Sequence, residues 1–180
     1  MIKHVYTTEK GIEIQRALFT AAALAGFACH KAVKEEGGSF VKVETKAGKT
    51  FYFGDDVNKY LLENPYCIYS FVNAVAKIAD EDSRAVVSSV AESIGNEDYK
   101  VWGSVSLEFA YNEAKSCFDG IYENMTSKVC EKPSEWPIYF GIVLQNIILD
   151  ALKTGVPENV VALMALECAC IVSKMDEDSI

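Results

Sequence analysis

Along most of this chain the apolar positions recur every three or four residues, as on one face of a helix; in one stretch, Ser39 to Tyr60, they recur every second residue. There Val41, Val43, Phe51 and Phe53 flank Lys46-Ala47-Gly48, a turn with glycine where a positive φ is needed. Setting Thr45 opposite Lys49 places Val43 opposite Phe51 and Val41 opposite Phe53. All four apolar side chains then share one face, while Lys42, Glu44, Thr50 and Tyr52 occupy the other, which can meet water. A two-stranded hairpin is marginal in water, so helices are expected to cover the apolar face.

The helical patterns lie on either side. Thr7 or Thr8 can cap a first helix from about Glu9 to Glu36, ended by Gly37-Gly38. Its middle, Ala17 to Val33, is rich in alanine, and such small side chains admit a close neighbour. This predicts either the central helix of the monomer or a subunit interface. After the hairpin, Asp55 is a good N-cap for a short helix over Asp56 to Glu63. Asn64-Pro65 restarts the chain as a buried segment through Ala79. The acidic turn Asp80-Glu81-Asp82 opens a helix to Ile94 with Val86, Val87, Val90 and Ile94 as its apolar stripe and Gly95 as its stop.

The window from Asn96 to Thr126 carries two patterns. Leu107, Tyr111, Ala114, Phe118, Ile121 and Met125 keep helical spacing and predict one helix from about Glu97 to Thr126. Val101, Val105, Leu107, Phe109 and Tyr111 alternate, so a third strand over 100–108 is the alternative. Ser134 and Pro137 open a further helix that closes at Gly155-Val156-Pro157, glycine supplying the left-handed residue. The last helix runs from about Pro157 to Lys174, pairs antiparallel with its predecessor, and leaves residues 176–180 as a frayed acidic tail. The expected fold is mainly α: one domain over residues 1–180, a bundle of six or seven helices with a β-hairpin at about 40–53 inserted after the first.

Composition narrows the classes. The chain has 180 residues, half of them hydrophobic, with a formal charge of −9, enough apolar material for a sizeable core under an acidic surface. The arginines are Arg16 and Arg84 and the lysines are scattered, which argues against nucleic acid and favours a basic protein partner if any charged one. The start lacks a signal-peptide pattern, and the longest apolar runs, 137–152 and 157–172, are shorter than the roughly 20 residues that cross a bilayer. A cytoplasmic protein with no membrane segment and six reduced cysteines is therefore expected.

Candidate chemistry is sparse. His4 and His30 are the two histidines, and Cys29 beside His30 on a helix points about 100° away from it, so a nucleophile pair is not expected. Cys168-Ala169-Cys170 lacks the spacing and further ligands of a zinc site, and no Glu-x-x-His pair suggests a di-iron bundle. No metal and no cofactor are expected. Asp55 and Asp56, at the start of the short helix, cap it and face a possible basic partner. Polar side chains within the apolar C-terminal helices need partners or water: Asn146 and Asp150 share a face, and Glu167 is the sole charge between Asn159 and Lys174. With Tyr139 and Tyr111 they would line an interhelical pocket. Two readings of function follow: a non-catalytic interaction or regulatory module forming a homodimer through the small-residue face of the first helix or the C-terminal helix pair, or a small-molecule-binding protein or enzyme using that pocket.

Overall fold

A computed structural model of the chain describes residues 7–8, 11–46, 48–94 and 106–179. Helix α1, Ile14–Glu35, forms the axis of the fold, and every residue from Ala17 to His30 on it is buried. A helix buried on all sides has no room for long side chains on all of them, which is why this run is mostly alanine. At Gly26 the backbone of the last long helix comes so near that a Cβ would lie 2.1 Å from the carbonyl oxygen of Ala169. The small-residue face is thus occupied from within the chain, and α1 is the central helix of the bundle.

Its approach to α1 differs from the sequence expectation. In place of a helix capped by Thr7 or Thr8, Thr7–Thr8 (β1) pairs antiparallel with Gly11–Ile12 (β2), and the helix starts after Glu13. The hairpin follows α1 as expected, β3 being Val41–Glu44 and β4 Thr50–Phe53, with Val41 opposite Phe53 and Val43 opposite Phe51. The Thr45 N–H donates to the Lys49 carbonyl at 2.7 Å, and Gly48 takes φ 81 in the turn. The faces are used differently from the expectation. Phe51 is 1% exposed, whereas Val41 and Val43 are 65% and 41% exposed, and Thr50 on the supposedly wet face is buried. The division runs between strands: β4 lies against the bundle and β3 is the outer edge.

Helix α2, Asp55–Asn58, continues into a π-helical turn, Lys59–Glu63. Its N-cap is Gly54, so Asp55 and Asp56 sit in the first turn, a correction to the capping role expected of Asp55. Helix α3, Ile68–Val75, is capped by Cys67, whose sulfur accepts from the Ser70 N–H, and begins three residues beyond Pro65. Helix α4, Asp80–Ser93, matches the expected span and turns Val90 inward. Helix α5, Leu107–Lys128, opens at Ser106, which is extended (φ −69, ψ 150) and accepts from the Phe109 N–H. A single helix from Glu97 is therefore ruled out; Leu107 and Glu108 are helical, and residues 100–105 of the alternative strand, together with Gly95, lie outside the described residues.

After a 3-10 turn at Pro133–Glu135 come α6, Trp136–Leu152, and α7, Glu158–Val172, joined through Gly155 at φ 85. They are less a pair than two neighbours of α1, against which both pack more extensively than against each other. Phe27 of α1 meets Tyr111 and Phe118 of α5 with ring centroids 5.5 and 5.3 Å apart, so α5 closes the third side. The buried apolar side chains form one continuous cluster contributed by α1, β4 and the later helices. Among the described residues no helix is long and apolar enough to cross a membrane. The mainly α bundle with a hairpin after its first helix is thus the fold of this chain.

Candidate functional site

The C-terminal segment, expected to fray, is built into the fold through residue 179. The Tyr52 N–H donates to the Lys174 carbonyl at 2.8 Å along the far edge of β4, and the Ser179 hydroxyl, itself buried, donates to the Thr50 carbonyl. Asp178 accepts from Lys42 Nζ at 2.9 Å and from the Tyr52 hydroxyl at 3.0 Å. Sequence reasoning placed these acidic residues in solvent because they follow the last apolar repeat; it had no means of seeing an open strand edge waiting beside them.

Beneath this segment lies His30, 1% exposed. Its Nδ1 is 3.1 Å from the Ser173 carbonyl, so Nδ1–H donates there, and its ring stacks on Phe40 at 4.6 Å and meets the edge of Tyr52 at 5.6 Å. Nε2 points at Asp176, 3.6 Å from Oδ2. Asp176 also accepts from Lys34. Burial pushes the Asp176 carboxyl up, but His30, Lys34 and the Glu177 N–H together outweigh burial and hold it well below the usual carboxylate range. One signal could have found His30: a polar ring inside a run of buried alanines needs a partner. That the Ser173 carbonyl supplies it, 143 positions later, is visible only in three dimensions.

Lys174 is 7% exposed, and burial pushes its ammonium down. The ammonium lies 5.6 Å from the centroid of the Phe53 ring, a cation–π contact that replaces part of its lost hydration. Cys170, one turn earlier on α7, and Cys29 on α1 are completely buried thiols whose pKa values burial raises, Cys29 strongly. A thiol held protonated is a poor nucleophile, so these cysteines act as small apolar groups. All six cysteines are free, and among the described residues no group of histidine, cysteine and carboxylate side chains could hold a metal.

The residues expected to line one interhelical pocket differ in their surroundings. Asn146 is exposed and donates back to the Ile142 carbonyl of its own helix at 2.9 Å. Asp150 pairs with Lys153 at 2.8 Å. Glu167 is half-buried on α7, where it ranks after burial in raising the Cys168 thiol. Tyr139 is half-buried, edge-on to Phe140 at 5.1 Å. Tyr111 is a core residue whose hydroxyl burial pushes up. Helical spacing put Asn146 and Asp150 on one face but could not say that this face looks outward. Asp56, for its part, accepts from the Ser39 N–H at 3.2 Å and from Lys59 Nζ at 2.5 Å, so the hairpin-to-helix junction holds it; Asp55 beside it is exposed.

A cleft does exist between helices, elsewhere and of another character. About 240 Å³ in volume, it opens where α1 begins, between Ile14, Leu18 and Phe19 of α1, Phe109 of α5, and Val160 and Met164 of α7. Gln15 and Arg16 supply the polar part of its rim, the Arg16 guanidinium sitting 5.8 Å from the Phe109 ring centroid and pairing with Glu13 at 3.2 Å. None of Glu167, Asp150, Asn146, Tyr139 and Tyr111 lines it.

The class defined here is a mainly α bundle threaded on one alanine-rich helix, its hairpin edge sealed by its own C-terminal segment. Comparison with protein-family models, with curated proteins and with solved structures gives no match to this chain.

Proposed function

We propose that this protein is a non-catalytic interaction module that self-associates, acting in the cytoplasm. What carries the reading is that four exposed apolar side chains are repeated along two regular elements. Val41 and Val43 stand out on β3, and Ile142 and Leu149, seven apart on α6, stand out on either side of the exposed Asn146. Exposed apolar groups repeated along one element mark a contact surface more often than scattered ones do. Among the described residues, His30 fixes the C-terminal segment, and Cys29, Cys168 and Cys170 are fully buried and serve packing. Six free thiols suit a reducing compartment, and the charge of −9 would draw a basic protein to the same module.

Light scattering on the size-exclusion eluate is expected to give a mass that rises with loading from the 19.8 kDa of one chain toward twice that value. A constant monomer mass up to about millimolar protein, where even weak pairs form, would reject the reading.

The cleft favours a second reading, a carrier of a small apolar molecule. Its lining is aliphatic and aromatic with polar groups confined to the rim, the usual division of labour in a ligand pocket. Calorimetric titration with octanol and octanoate is expected to show saturable binding to the wild type. Replacing Val160, a half-buried lining residue, by tryptophan fills the space and is expected to weaken binding by about tenfold, roughly the effect of losing one to two kcal/mol of contact. Binding that ignores Val160→Trp would place the ligand elsewhere.

A further inference from the structure

The outer edge of β3 has polar main-chain groups whose direction can be worked out. In an antiparallel pair, successive residues of a strand turn their N–H and C=O alternately toward and away from the partner. The Tyr52 N–H is spent on Lys174, on the side of β4 away from β3, so the pair Lys42 and Tyr52 exchanges no hydrogen bonds. Thr45 bonds inward to Lys49, and Val43 and Val41 follow it at intervals of two. The groups directed outward on β3 are therefore those of Lys42 and Glu44. Among the described residues no strand pairs with that edge.

We propose that a second copy of this chain adds to β3 antiparallel, with Val43 opposite the second copy's Val43 and Lys42 opposite its Glu44. The inference rests on the self-association reading above and assigns its surface. Charge selects the register. A two-fold pairing must bring outward-directed residues face to face, and among the centres within the strand's last three residues, Lys42, Val43 and Glu44, charge favours one. Centring on Lys42 sets two ammonium groups across from each other. Centring on Glu44 sets two carboxylates together and places Lys42 against the second copy's Lys46. Centring on Val43 gives two Lys42–Glu44 pairs and four main-chain hydrogen bonds, from the N–H of each to the carbonyl of the other. Directly opposed residues share a face, so Val43 meets Val43 and Val41 meets Thr45 on one side while the charges meet on the other. The exposed Val41 and Val43 are covered by this pairing, and the two hairpins become one four-stranded sheet. The stripe on α6 has no such complementarity to say what would lie on it.

The test is a charge exchange read by sedimentation equilibrium. Glu44→Lys alone and Lys42→Glu alone each place like charges opposite one another twice, and each is expected to raise the dimer dissociation constant by about tenfold or more. An equimolar mixture of the two variants pairs opposite charges again and is expected to dimerise at least as well as the wild type. Lys42→Glu also gives up the contact with Asp178, so thermal melts are run on both variants. Should Lys42→Glu fail to fold, Glu44→Lys stands with amide exchange on the wild type, in which the N–H groups of Lys42 and Glu44 are expected to exchange more slowly as concentration rises. A wild-type dimer indifferent to both substitutions, a mixture that stays dissociated, or exchange at these two amides that does not respond to concentration would overturn the β3 assignment while leaving self-association standing. A wild type that is monomeric throughout overturns both.

Discussion

Gly26→Ala is expected to lower the free energy of unfolding by about 2 kcal/mol, and Gly26→Val by more. The added Cβ would lie 2.1 Å from the Ala169 carbonyl oxygen and 2.8 Å from its carbonyl carbon, backbone atoms that no side-chain rotation can move aside. The two central helices must separate, and forced overpacking of this kind costs roughly 3 kcal/mol. Alanine's better helix propensity returns roughly 1 kcal/mol of it. The control is Gly120→Ala in α5, where a Cβ meets nothing within 4 Å. That change keeps only the propensity term and is expected to stabilise by up to about 1 kcal/mol. Urea unfolding of the two variants should therefore move in opposite directions from the wild type. Equal, small shifts would mean that α1 and α7 are not in contact as described.

The second large effect is at Asp176. Asp176→Asn is expected to cost about 2 kcal/mol at neutral pH, the scale of hydrogen bonds that involve a charged group. The carboxylate accepts from the Lys34 ammonium, whose share is reduced because it is half in solvent, and from the Glu177 N–H at 2.9 Å. The pH dependence has a definite sign. The folded-state pKa of Asp176 is depressed below that of the unfolded chain, about 3.9. The unfolded state therefore binds the proton first, and the carboxylate's contribution is full above about pH 5 and falls away as the pH drops through about 4 toward the lower folded value. The gap in urea midpoint between wild type and Asp176→Asn should be widest at pH 7 and narrower at pH 3. A gap that is absent at pH 7 would return residues 176–179 to the status of a frayed tail.

That segment also shows what helical and strand periodicity misses. The hairpin register was legible because alternation and a turn glycine together leave one pairing that puts Val41, Val43, Phe51 and Phe53 on a common face. Its burial was not, because alternation describes the two faces of a strand and says nothing of which strand lies outermost. Helices α4, α6 and α7 were legible for the same local reason, as was the left-handed Gly155. For the polar residues singled out on the last two helices, spacing fixes which residues share a face and leaves open what that face meets. Asn146 looks out and Tyr111 looks in. The cleft beside Phe109 escaped notice because its walls belong to elements far apart in the chain and none of its residues is unusual locally.

By itself, then, the sequence determined most of the element types, the strand register and the need for a small-residue axis, all consequences of backbone geometry within a few residues. The tertiary structure alone decided which helix face is interior, that His30 would meet the C-terminal segment, and that β4 would be closed on one edge while, among the described residues, no strand pairs with the outer edge of β3. Those outcomes depend on contacts between residues more than a hundred positions apart, where packing and desolvation choose among partners that local spacing leaves equivalent.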